Sequence, residues 1–124
     1  MATQAPSSRY PGMTPITVLL PVRAEDAQGT PCARAVSSIV AQTRRPDAVV
    51  VVVDHPAGTP SNSVAQSETA VRGHFSDADI PLTLITRTRD TLSASLNRGL
   101  AACTTPLVAR QDADDVSHPE RLEA

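Results

Sequence analysis

The run AVVVVVD, Ala48 to Asp54, constrains the fold of this chain more than any other stretch. Five consecutive valines leave a helix no polar face, and β-branching at each position crowds χ1 against a preceding helical turn. An apolar run without alternation suits a strand buried on both faces, the usual state of a central strand in a parallel sheet. A chain of 124 residues holds one domain of modest size, so such a strand calls for a single sheet with helices on both sides.

The remaining pattern supplies those parts. ITVLLPV, Ile16 to Val22, is a second nearly continuous apolar run. In GTPCARAVSSIVAQT, Thr30 is expected as N-cap with Pro31 at the first helical position, and Val36, Ile39 and Val40 form one apolar face. HPAGTPSNS reads as a loop by composition. Val64, Val71 and Phe75 place a second helix over 63–75, and PLTLIT predicts a third strand. Leu92, Leu96 and Leu100 recur every fourth residue and predict the core face of a third helix, closed by Gly99 and the turn Thr104-Thr105-Pro106. PLVAR is a short fourth strand. The order β-α-β-α-β-α-β argues for an α/β, doubly wound, mainly parallel sheet of Rossmann-like type with right-handed crossovers.

Composition narrows the classes of function. With 40% hydrophobic residues but one Tyr, one Phe and no Trp, the core must be aliphatic. A net charge of −2, with all 11 basic residues arginines scattered along the chain, gives no basic face for nucleic acid. Cys32 and Cys103 match no metal or redox spacing and read as small buried hydrophobes in a reducing compartment. The start, MATQAPSSRYPGMTP, lacks the layout of a signal peptide, and no run reaches membrane-spanning length. Residues 1–14 are expected as a flexible tail ahead of a domain over 15–124, and the chain as soluble and cytoplasmic.

Ligands of open parallel sheets bind beyond the carboxyl ends of the strands. That selects Pro21-Val22-Arg23, Asp54-His55, the stretch 87–90 and the stretch 110–115. Carboxylates follow the second and fourth strands and therefore share one edge. Asp112, Asp114 and Asp115 fall within four residues and repel one another unless a cation or abundant solvent compensates. An oxygen-only cluster suits Mg²⁺ or Mn²⁺, with open positions that substrate phosphates fill. The plainer alternative is a solvated loop entering a helix through a capping box, Ser117 with Glu120, and Pro119 at an early helical position. A calcium loop starting at Asp112 fails, with Val116 at position 5, Ser117 where Gly is required and Pro119 inside the loop. Phosphate-loop, dinucleotide and nucleophile-elbow glycine motifs are absent from the sequence, and TRTRD offers no acceptor aspartate directly after the third strand.

PITVLLPVR, AVSSIVAQTRRPDAVVVVVDHP, SASLNRGLAAC and LVARQDADDVSHPERLE, in that order and spacing, resemble the amino-terminal half of family 2 glycosyltransferases. The resemblance runs from about Ile16 to the end of the sequence and implies a nucleotide-sugar-binding α/β domain of the A type, incomplete at its C-terminal side. It implies that Asp54 contacts the nucleobase, commonly uracil, and that Pro21, Val22 and Arg23 line the base pocket. Asp112-Ala113-Asp114-Asp115 is similar to the family's D-x-D region. Asp114 and Asp115 are the candidates for ribose and divalent-metal contacts, with Asp112 beside them. Asn97 and Arg110 match positions near the donor sugar or diphosphate. The implied activity is inverting, metal-dependent transfer from a nucleoside diphosphate sugar, a UDP-sugar, to an acceptor hydroxyl in glycan or polysaccharide synthesis.

The sequence departs from the family pattern in places. Arg23-Ala24 stands where many relatives have Tyr-Asn, and Val53-Asp54 where many have two Asp. Arg89 and Thr91 replace the Asn and Gly that lead into the third helix. The acceptor site and the catalytic base are expected beyond residue 124, so the catalytic residue is unknown from this sequence. Glu120, Glu123 and His118 read as polar surface around the acidic motif, and His55 and His74 as surface or loop residues. A second reading is a truncated, inactive paralogue that binds nucleotide or a partner, with self-association through its exposed edge.

Overall fold

The structure, a computed structural model, describes residue 8 and residues 10–123. Four strands, β1 (Ile16–Arg23), β2 (Ala48–His55), β3 (Leu82–Thr88) and β4 (Leu107–Arg110), alternate with α1 (Thr30–Val40), α2 (Ser61–His74) and α3 (Leu92–Ala102). They form one sheet in the order β3-β2-β1-β4, parallel throughout. The chain builds outward from β1 to β3 and then crosses to the other side of β1. The crevice between the ends of β1 and β4 is therefore the topological switch point, where sheets of this kind take their ligands.

The valine run behaves as its composition requires. Val49, Val51 and Val53 join Val18, Leu20 and Val22 in a core against Val36 and Ile39 of α1 and Val71 and Phe75 of the α2 end. Val50 and Val52 face the opposite way and, with Leu19, pack under α3. Burial of one such side chain contributes about 1.5–3 kcal/mol, so a polar substitution at either parity would damage one of the two layers.

The third helix corrects an expectation. Its buried positions are Ser95 and Gly99, while Leu92 and Leu100 are 51% and 47% exposed and only Leu96 of the leucine series packs on the sheet. Gly99 lies inside the helix rather than closing it, and the reason is steric. A Cβ there would stand 2.3 Å from Leu19 Cδ1 and 2.9 Å from Val52 Cγ2. The absent side chain lets α3 lie close on the sheet and turns the leucines outward.

Smaller differences also have causes. Gly29, not Thr30, occupies the N-cap of α1, with Pro31 in the first turn. The second helix begins at Ser61, so its loop is shorter than HPAGTPSNS suggested. Of the expected tail, residues 1–7 and 9 lie outside the described residues. Tyr10 accepts from the Arg45 amide through its hydroxyl (2.9 Å), and the Thr14 carbonyl accepts from Arg44.

Candidate functional site

Parallel strands bring the four exits to one edge, but not to one level. Arg23 of β1 is in register with Asp54 of β2, and Asp54 with Arg87 of β3. β4 runs out opposite Leu19, four residues short of Arg23. At a rise of roughly 3.3 Å per residue this offsets the two strand ends by roughly 13 Å. The acidic segment begins at the lower level, beside β1.

Asp112-Ala113-Asp114-Asp115 forms a β-turn closed by the Asp115 amide donating to the Asp112 carbonyl (3.1 Å). Ala113 packs on the main core, which turns the acids outward. Asp112 is half-buried and accepts from Arg110 Nε (2.9 Å); Asp114 and Asp115 are exposed. Solvent is what makes the crowding of these acids tolerable. Among the described residues, no three His, Cys, Asp or Glu side chains converge to hold a metal ion. The donor chemistry still fits a hard divalent ion: two free carboxylates supply oxygen ligands and leave most of the coordination shell open.

The turn is held from beneath by Gln111, a residue the sequence reading passed over. Its side chain is buried and donates from Nε2 to the carbonyls of Ala35 (3.1 Å) and Asp115 (3.0 Å) and to Ser38 Oγ (3.1 Å), while Oε1 accepts from Ser117 Oγ. Its amide extends the β4 ladder by donating to Leu19 O (2.9 Å). Gln42, also buried, donates to His118 O (2.7 Å) and accepts from the Leu122 amide (3.1 Å). The acidic turn is thereby fastened to the C-terminal end of α1.

The capping box does not form. The Ser117 hydroxyl is committed to Gln111 and its amide donates to Ser38 Oγ (3.0 Å), while the Glu120 amide donates to His118 Nδ1 (3.2 Å), so the serine caps no helix. A single 3₁₀ turn, Arg121–Glu123, follows instead. His118, Glu120 and Glu123 are exposed.

At the upper level Asp54 is not free. Its side chain is 13% exposed, and Oδ1 accepts from Arg89 Nε at 2.8 Å. The same guanidinium donates through Nη1 (3.2 Å) and Nη2 to Glu25, beyond the β1 exit, and through Nη2 to the Asp54 carbonyl (3.3 Å). The side-chain bond from Arg89 holds the Glu25 carboxyl below the usual carboxylate range, and the two carboxylates push the Arg89 guanidinium upward. Thr91, standing where a glycine was expected by resemblance, caps α3 by accepting from the Ala94 amide (3.0 Å).

The other expected residues separate. Pro21 and Val22 are buried, Val22 in the main core, so of that trio only the Arg23 side chain is exposed. Asn97 is exposed on α3, and Arg110 is exposed beside Asp112. Two histidines correct the surface reading. His55 is buried at the end of β2 with Nε2 3.3 Å from Ser67 Oγ, because its strand parity turns it toward α2. His74 is half-buried, its Nε2 2.9 Å from the Ala27 carbonyl.

A glycosyl transferase family 2 model matches residues 17–124. The chain belongs to this family. The amylovoran biosynthesis glycosyltransferase AmsE of Erwinia amylovora is 34% identical over 91 residues, covering 73% of this chain and 31% of that protein. Among solved structures, the mannosyltransferase PcManGT of Pyrobaculum calidifontis, in complex with GDP-Man and Mn²⁺, superposes with a TM-score of 0.67 at 24% identity over 97% of this chain and 34% of its own. TarS of S. aureus follows at 0.55 and 19%, covering 88% of this chain and 18% of its own. Both carry the same fold, and this family 2 chain spans about a third or less of the length of these proteins.

Proposed function

We propose that this chain is the nucleotide-sugar-binding part of an inverting, metal-dependent glycosyltransferase that uses a UDP-sugar. The observation that carries the reading is the placement of two carboxylate groups, Asp54 and the 112–115 turn, on the exits flanking β1 at the switch point of a family 2 sheet. A carboxylate accepts readily from a base imide N–H or from ribose hydroxyls, which suits Asp54 to the base and Asp112 or Asp114 to the ribose. Asp114 and Asp115 would hold Mn²⁺ or Mg²⁺ against the diphosphate. Such an ion, when bound, neutralises charge growing on the departing nucleoside diphosphate. Support for the ion comes from the free carboxylates and from the Mn²⁺ bound by the mannosyltransferase of like fold.

Arg110 and Asn97 are placed in this reading near the diphosphate and the sugar, and Arg23 beside the base. Inverting transfer also needs a base to deprotonate the acceptor hydroxyl. We assign that role to no residue of this chain, so the chain alone should transfer no sugar. The acceptor we propose is a saccharide of a growing polymer, on the analogy of AmsE, which is named for amylovoran biosynthesis. No helix among the described residues is long and apolar enough to cross a membrane, and both cysteines are free thiols, so a cytoplasmic site of action is the matching proposal.

Thermal unfolding with UDP, with and without Mn²⁺, on the wild type and Asp115→Ala tests the reading. Ligand at about a hundred times its dissociation constant stabilises a fold by about 2.7 kcal/mol. A Mn²⁺-dependent shift lost in the variant is expected. A cooperative melt indifferent to UDP and metal would sink it.

A further inference from the structure

We infer that Arg89 determines which nucleobase the chain accepts, by occupying one oxygen of Asp54 and leaving the other for a single base N–H. The inference rests on the proposed function, in which Asp54 meets the base. The geometry that motivates it belongs to this chain. Arg89 reaches from the β3 exit across the end of β2 to Glu25 beyond β1, and its backbone amide donates to His55 O at 2.5 Å. The side chain is thus anchored at both ends. Its Nε holds Asp54 Oδ1 at 2.8 Å, while among the described residues Oδ2 has no hydrogen-bond partner and is not sealed from solvent.

The consequence follows from donor patterns. Uracil presents one imide N–H between two carbonyls, and one free carboxylate oxygen satisfies it. Guanine presents a ring N–H and an amino N–H side by side, a pair best met by both oxygens of one carboxylate. Asp54 has already given one of those oxygens to a cation. Arg89 cannot release it cheaply, because its remaining donors are spread between Glu25 and the Asp54 carbonyl. A guanine placed here would leave one donor poorly met in a largely enclosed setting, whereas uracil would not. Discrimination by a site whose polar groups would otherwise go unpaired is the strong kind.

The readout is a ratio of affinities, which a merely structural role would not move. Calorimetric titration with UDP and with GDP, both with Mn²⁺, is performed on the wild type, Arg89→Met and Glu25→Gln. The wild type is expected to prefer UDP by about ten- to a hundredfold. Arg89→Met, which keeps an apolar stem and removes the fork, should bring the two nucleotides to within about threefold. Glu25 is 53% exposed, so its replacement spares the fold and should lower the ratio in the same direction, to a smaller extent. That variant carries the test if Arg89→Met loses its cooperative melt. A wild type preferring GDP, or a UDP-to-GDP ratio unchanged in both variants, overturns the role of Arg89 and leaves the proposed function standing. A wild type that binds neither nucleotide overturns both.

Discussion

The two carboxylate groups at the sheet edge are prepared in opposite ways. Asp54 is nearly enclosed and already holds a cation, so its orientation is fixed before any ligand arrives. Asp114 and Asp115 stand in solvent on a turn whose backbone is fixed by Gln111 and whose charges, among the described residues, are answered by an ion pair only at Asp112. One site is electrostatically complete and, in the proposed reading, discriminates by the hydrogen-bond donors its remaining oxygen can meet. The other is electrostatically incomplete and gains most from a cation. In the proposed reading, one fold positions acids for base recognition and for metal binding alike, with the neighbouring cation deciding which.

The sharpest way to break this contrast is to remove one group at a time. Asp114→Ala should abolish the Mn²⁺-dependent part of UDP stabilisation, a loss approaching the ~2.7 kcal/mol expected near saturation. Asp54→Ala should weaken UDP binding about ten- to a hundredfold while the remaining binding stays Mn²⁺-dependent. Differential scanning fluorimetry across metal concentrations separates the two patterns; identical behaviour would erase the distinction. Gln111→Ala acts on the support instead. Its buried bonds should cost about 2 kcal/mol of stability, read by urea unfolding, and the Mn²⁺ response should weaken with every carboxylate intact.

The smallest effect tests the pairing around Arg89. Glu25 has its pKa lowered chiefly by the Arg89 bond, so it contributes stability above its unfolded pKa and loses it as pH falls through the lower folded value. Because the Glu25 carboxylate is half-exposed to screening solvent, the wild type should exceed Glu25→Gln by only about 0.5 kcal/mol at pH 7. The gap should close below about pH 4. Chemical unfolding at both pH values checks the sign. A gap that persists in acid would mean packing, rather than charge, holds the segment.

How much of this was legible beforehand depended on which physical signal carried it. The strands and their order were plain, because β-branched runs and helical segments alternate without ambiguity, and the family motifs marked the acids. The orientation of α3 was not. Leu92, Leu96 and Leu100 make a convincing stripe, yet the contact that decides the packing is the missing Cβ of Gly99 against Leu19 and Val52. The capping box at Ser117 and Glu120 failed for a related reason, since tertiary partners at Ser38 and Gln111 had already claimed the serine. Arg89 showed in the sequence only as a departure from pattern. Its ion pairs join residues 35 and 64 positions away, a distance no local reading spans. The outward leucines of α3, with Leu107 and Val108 on β4, leave apolar surface exposed, which the leucine spacing alone did not predict.

Leu19 links two parts of the molecule that share no ligand. Its side chain is the surface on which Gly99 rests, and its carbonyl receives the amide of Gln111, which in turn holds Asp115. A methyl group added at position 99 would press on Leu19 as well as Val52, and through Leu19 be felt at the acidic turn. Tolerance to substitution along this chain should therefore follow mechanical connection more closely than distance from the acidic turn, making a glycine on the far side of the sheet as hard to replace as an aspartate of the turn itself.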